Sequence, residues 1–300
     1  MCDDENVEII KTKQKKVQRR RLGYLYALFG RFKKNLLSII GIIIFTLVVI
    51  LGVFAPIISP YSPKQQFWEY VGVPPCSKFL LGTDDMGRDV LSRIIWGARI
   101  SLLVGVISTA ISTSIGVSIG AISGYRGGNT DVFFMEMTNI IMTLPTILLL
   151  ITIVAVLKHR SLRLISAVIG IVGWTGLARL VRAETLSIKE RPYVEGAKAI
   201  GLSDGNIILH YVLPNAIGPI ITNATYNLAL AILWEAFLSF LGLGDPIAIS
   251  WGMMMQRGYA LMRFSWWMPT FPGLAIFITV LGINFLGDGL SDAFDVRTQV

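Results

Sequence analysis

The chain has 300 residues, of which 53% are apolar and only 15% charged, with a mean hydropathy of +0.64. That balance excludes an ordinary soluble domain and predicts an all-α protein that crosses a membrane several times. The net charge of +8 does not point to nucleic acid: ten of the 27 basic residues lie in the first 34 positions, beside the first apolar run, where lipid headgroups are the simpler partner.

Residues 1–34 form a basic tail with Lys11, Lys13, Lys15, Lys16, Arg19, Arg20, Arg21, Arg31, Lys33 and Lys34. The apolar run behind it is long and lacks a small-residue cleavage site, unlike a signal peptide. Uncharged runs occupy 35–63, 100–125, 137–157, 164–178, 211–234 and 264–287. Five exceed the roughly 20 residues that a bilayer-crossing helix requires. The fourth has fifteen, with Arg179 and Arg182 expected to snorkel at its end. The reading is therefore six transmembrane helices with both termini cytoplasmic, since basic residues stay inside. Its segments are a tail at 1–34, a first helix at 35–59 and an external segment at 60–99. A five-helix core at 100–292 follows, with a cytoplasmic loop at 186–215 and an external segment at 241–271, and a cytoplasmic tail at 293–300. Lys158, Arg160 and Arg163 oppose this orientation, because they fall in a short outer loop, and the ten of the tail outweigh them.

The segment 60–99 is too polar for lipid and is expected to fold over the outer face of the spans. In the second span Ser108, Ser112, Gly116, Gly120 and Gly124 recur every four residues, a stripe of small side chains that lets another helix approach. Gly116-Val-Ser-Ile-Gly120 spells G-x-S-x-G, but inside this stripe rather than at a strand-to-helix turn, and H-E-x-x-H is absent, so no intramembrane enzyme is read. Gly170, Gly173 and Gly176 suggest similar packing in the fourth span.

Between the fourth and fifth runs, the stretch from Tyr193 to Asn215 is charged and interrupted. Pro192 suits a first helical position, and Glu195 then lies where the macrodipole favours negative charge. Gly201 can end this helix in the left-handed conformation; Ser203 can cap a second short helix, which Pro214 is expected to stop. A helix over 192–200 is only about 13 Å long and marginal alone, so it needs a groove, with Val194, Ala197 and Gly201 as its small apolar face.

Farther along, Glu235 is a carboxylate in an otherwise apolar run, by default a candidate facing a cavity, or else a structural or interfacial residue. Asn223 and Asn227, one turn apart, line a pathway or bond to a neighbouring helix. Trp251, Trp266, Trp267 and several Met suit an external re-entrant or interfacial element, or else a greasy lip around an external opening. Cys2 and Cys76 are expected on opposite sides, His159 and His210 stand alone, and no cluster has metal-ligand spacing, so neither disulfide nor metal is expected. No G-x-x-x-x-G-K-[ST] loop is present, so the chain should bind no nucleotide. Ion-coupled transport needs intramembrane relays, for which Glu235 is nearly the only candidate.

With these residues in view, the chain resembles the C-type permease subunit of dipeptide and oligopeptide ABC importers. The coupling loop of that family runs E-A-A, a Gly four residues after the last Ala, then an apolar stretch ending in Leu-Pro; Glu195, Ala197, Gly201, Leu213 and Pro214 match, and Gly196 departs from the usual Ala. Further matches are Leu81-Gly-Thr-Asp, Gly87-Arg-Asp-Val-Leu-Ser-Arg93, Gly97-Ala-Arg-Ile-Ser-Leu102, Ser239-Phe-Leu-Gly-Leu-Gly244, Trp251-Gly-Met, Phe271-Pro-Gly-Leu-Ala-Ile-Phe277 and Leu286-Gly-Asp-Gly-Leu290. Val296 stands where the family often has Pro. The resemblance implies a type I importer permease in a bacterial or archaeal plasma membrane, non-catalytic, with a coupling helix at 193–205 and Val194, Glu195, Gly196, Ala197, Gly201, Leu213 and Pro214 as the ATPase-coupling residues. It also implies a homologous second permease, two cytoplasmic ATPase subunits that hold ATP and Mg, and an external substrate-binding protein. Relatives carry nickel chelates, glutathione or oligosaccharides, so the cargo stays open between these and peptides.

Overall fold

The computed structural model describes residues 35–157 and 160–294. The basic tail, Lys158, His159 and the C-terminal residues from 295, with the readings attached to them, lie outside the described residues. Helix α1, Leu36–Val53, starts at Asn35, whose side chain accepts from the Leu37 N–H and donates to Asp292 Oδ2 at 2.9 Å. The first span therefore begins against the end of the last one.

Residues 59–89 fold into a cap. Tyr61, Phe67 and Tyr70 surround the buried Phe79 ring, with centroids 5.1–5.6 Å apart. Asp84 accepts from the Met86 and Arg88 N–H groups and from Arg88 Nε at 2.7 Å. The polar residues of this segment thus bond to one another. Helix α2, Val90–Arg126, begins ten residues before the uncharged run that announced it. Asp89 caps it by accepting from the Ser92 N–H, and Arg93, a charge that broke the apolar pattern, donates to Pro63 O in the cap at 3.0 Å. The last ten residues of the expected segment 60–99 are therefore helical.

The third and fourth runs are each broken. Helices α3, Gly128–Thr143, and α4, Thr146–Leu157, meet at 86°. Pro145 explains the break: it lacks an N–H and holds Leu144 in extended backbone. Helices α5, Leu162–Val172, and α6, Thr175–Lys189, meet at 41° across Gly173 and Trp174. The fourth run thus continues to Lys189. Arg179 and Arg182 do not snorkel at its end; they stand inside α6 and bind Asn139 and Asp131 on α3.

Helix α7, Pro192–Ala199, is followed by α8, Asp204–Phe240, which includes one π turn at Ile208–Val212. Pro214 does not stop this helix as expected. It lies in the first turn of the regular α portion, where the π register just ahead accommodates its missing N–H. Helix α9, Trp251–Ala260, is capped by Ser250, and α10 spans Trp267–Phe294. Helices α1, α2, α8 and α10 are each long and apolar enough to cross a membrane, and the two bent pairs bring the total to as many as six.

The stripe on α2 packs as expected. A Cβ on Gly116 would lie 2.9 Å from Trp174 O, one on Gly120 2.5 Å from Ala178 O, and one on Gly124 2.8 Å from Arg182 O. Ser108 Oγ donates to Ser166 O at 2.9 Å. In the fourth span only Gly170 packs this way: Gly173 sits at the bend and Gly176 faces open space. Trp251 and Trp267 are not interfacial anchors but buried ties, donating from Nε1 to Ile94 O at 2.9 Å and Thr83 O at 3.1 Å. Trp266 alone of the three is exposed. We expect Gly120→Leu to overpack the α2–α6 contact and cost about 1–3 kcal/mol, read as a lower midpoint of thermal unfolding in detergent. Gly176→Leu, in open space, should leave the midpoint unchanged.

Candidate functional site

The α7 segment is closed as its sequence suggests at both ends. Pro192 occupies the first turn with Glu195. At the other end Gly201 has φ +83°, its N–H donates to Lys198 O at 3.0 Å, and the Leu202 N–H donates to Ala197 O at 3.3 Å. These two bonds are the Schellman pair, and they satisfy carbonyls that the helix end would leave open. Ser203 holds the N-cap position of α8 without making a capping bond.

The orientation of α7 differs from the expectation. Val194 and Ala197, only 2% and 4% exposed, face this chain's own interior, where they pack in one cluster with Leu177, Val181, Ile188, Ile207, Val212 and Ala216. The half-buried Leu213 joins the same cluster. The apolar face of a short helix goes to the nearest available groove, and here that groove lies between α6 and α8. What remains outside is Tyr193 at 41% exposure, Ile200 at 77%, Glu195, Gly196 and Gly201. Among the described residues nothing outside the local turn of α7 would lie within 4 Å of a Cβ on Gly196, so its departure from Ala opens no gap inside the chain.

Beside this segment an open cavity of about 1210 Å³ lies among α6, α8 and α10. Asn223 and Pro214 line it, together with Glu184, Arg191, Tyr226, Asn284, Asp288 and Ser291. Asn223 lines the cavity as one of the two expectations has it; Asn227 does not, and it donates from Nδ2 to Asn223 Oδ1 at 3.3 Å on the same helix rather than to a neighbouring one. Glu235 is elsewhere. It is 1% exposed in packed interior, with Oε1 accepting from Ser239 Oγ at 2.7 Å and, among the described residues, no hydrogen-bond partner on Oε2. Helix α9 covers it: a Cβ on Gly252 would lie 2.7 Å from Ala236 Cα. The carboxylate read as facing a cavity is therefore enclosed.

The other polar residues of the wall were not read from the sequence. Asn284, Asp288 and Ser291 follow a spacing of four and three residues, which puts them on one face of α10. Glu184 and Arg191 carried no such signal. Among the described residues no group of three His, Cys, Asp or Glu side chains is placed to hold a metal ion.

Apolar spans around a polar cavity, with a capped helix held at one end, are the architecture of an integral-membrane transport component. Residues 116–300 match the family described as binding-protein-dependent transport system inner membrane component, and the chain belongs to it. Residues 25–75 match the N-terminal transmembrane domain of oligopeptide transport permease C. The chain is 36% identical over 285 residues to the oligopeptide transport system permease protein OppC of Bacillus subtilis (strain 168), across 95% of this chain and 93% of that protein. It is 39% identical over 286 residues to the dipeptide transport system permease protein DppC of the same strain, across 94% and 89%. Identity to the di/tripeptide transport system permease protein DppC of Pseudomonas aeruginosa (strain UCBPP-PA14) is 38% over 275 residues, across 89% and 90%.

Gly201→Val should cost about 1–2 kcal/mol at the left-handed position. Hydrogen exchange should show this as faster exchange at Leu202, with α2 unchanged.

Proposed function

We propose that the chain is a permease subunit of an ATP-driven ABC importer for di- or oligopeptides, forming half of the translocation pathway. The observation that carries this reading is the similarity over nearly the whole chain to permeases named for oligopeptide and dipeptide transport. The cavity supports a peptide cargo. Its wall holds the carboxylates of Glu184 and Asp288 and the guanidinium of Arg191, charges of both signs that suit a zwitterion better than a neutral sugar.

The orientation follows from charge. With the tail 1–34 on the cytoplasmic side, α7 faces the cytoplasm and the 59–89 cap faces outward, toward an external binding protein. Two ATPase subunits, holding ATP and Mg, close on each other beneath this chain and a homologous second permease. Helix α7 receives their motion through its outer surface of Tyr193, Glu195 and Ile200, while Val194 and Ala197 pass it to the bundle. Alternating access then needs two states, each favoured by a different ligand.

Reconstitution with the co-encoded permease and ATPases tests the cargo: a peptide-loaded binding protein should stimulate ATP hydrolysis. Stimulation only by a nickel chelate or an oligosaccharide would reassign it. Ile200→Asp and Glu195→Lys, both on the exposed surface, should insert and fold normally yet lower ATP-driven uptake by about tenfold or more, as loss of a central interface contact does. Co-purification with the ATPases and uptake at the parent rate would remove α7 from the coupling path.

A further inference from the structure

The breaks at 144–145 and 173–174 divide the third and fourth spans into halves with different neighbours, although α5 and α6 both rest on the unbroken α2. Helix α3 packs chiefly on α2 and α6, whereas α4 packs chiefly on α5 and α8. The halves nearer α7, namely α3 and α6, are also joined by polar contacts that apolar spans rarely carry. Arg182 donates from Nε and Nη2 to the two carboxylate oxygens of Asp131, each at 2.5 Å. Arg179 Nη2 donates to Asn139 Oδ1 at 2.6 Å. Ser123 Oγ also donates to Asp131, and Lys189 Nζ donates to Tyr125 O at 2.6 Å, so the end of α2 is drawn into the same network.

Only Glu190 and Arg191 separate α6 from α7, and Leu177, Val181 and Ile188 of α6 share their apolar cluster with Val194 and Ala197. We infer that α3 and α6 form one rigid lever, fastened by the Asp131–Arg182 pair, which carries the displacement of α7 into the spans and pivots at Leu144–Pro145 and Gly173–Trp174. Asp131 and Arg182 are positioning residues in this account, and the inference rests on the coupling role proposed for α7. The pair suits a lever because a bidentate carboxylate–guanidinium contact fixes orientation as well as distance. Without it, α3 is tied to α6 mainly by Arg179, and α6 can tilt while α3 stays behind.

The test uses the full complex in vesicles, with Cys2→Ser and Cys76→Ser as background. Asn139→Cys with Arg179→Cys, joined by a short bis-maleimide, should transport peptide within about twofold of the unjoined form, because a rigid unit loses nothing when it is linked. Uptake blocked by the link would overturn the lever. Asp131→Asn should keep ATP hydrolysis but lower peptide imported per ATP by about tenfold, the equivalent of one charge-assisted hydrogen bond. The exchange of Asp131→Arg with Arg182→Asp should restore most of that ratio. A ratio unchanged in Asp131→Asn, or not restored by the exchange, would also overturn it; if Asp131→Asn does not assemble, the linked pair decides. Absence of ATP-driven uptake by the parent complex would instead remove the coupling reading and the lever with it.

Discussion

The contact on which the rest depends is the burial of Val194 and Ala197, on the inner face of α7, against α6 and α8. A helix of eight residues has little stability of its own, and two apolar side chains on one face are what hold it to the bundle. That attachment makes a surface element stiff. A push on Ile200 or Tyr193 reaches α6 and α8 through packed side chains, and close-packed interiors transmit displacement rather than absorb it. The Schellman closure at Gly201 serves the same end by turning the chain sharply into α8 without unpaired carbonyls.

The bilayer imposes the second constraint. Every backbone group within it must be paired inside the protein, so a break in a spanning helix is tolerated only where protein surrounds it. The break between α5 and α6 lies against α2, where the small-residue stripe brings the backbones of Trp174, Ala178 and Arg182 close. Tight packing and the bend are thus neighbours. The stripe gives α5 and α6 a common bearing on α2, and the break changes the direction of the chain between them.

Much of this was legible in the sequence where one local rule governs. The α2 stripe, Pro192 at the start of α7 and the positive φ of Gly201 each follow from residue type and spacing. What sequence misjudged depended on tertiary neighbours. Arg93, Arg179 and Arg182 broke the apolar runs and so shortened the expected helices, yet their charges are used by Pro63, Asn139 and Asp131. Pro214 is a helix breaker by propensity, but a π turn absorbs it. Trp251 and Trp267 resemble interfacial residues, and their buried ring nitrogens donate to backbone carbonyls instead. The direction of α7 was least legible of all, because a small apolar face fits a groove in the same chain as readily as one in a partner.

The most direct test places a photoreactive side chain at position 200 or at position 194 in the assembled complex. The account predicts an adduct with the ATPase subunit from position 200 and none from position 194, which is buried on the inner face of α7. An adduct from position 194, or none from position 200, would contradict it.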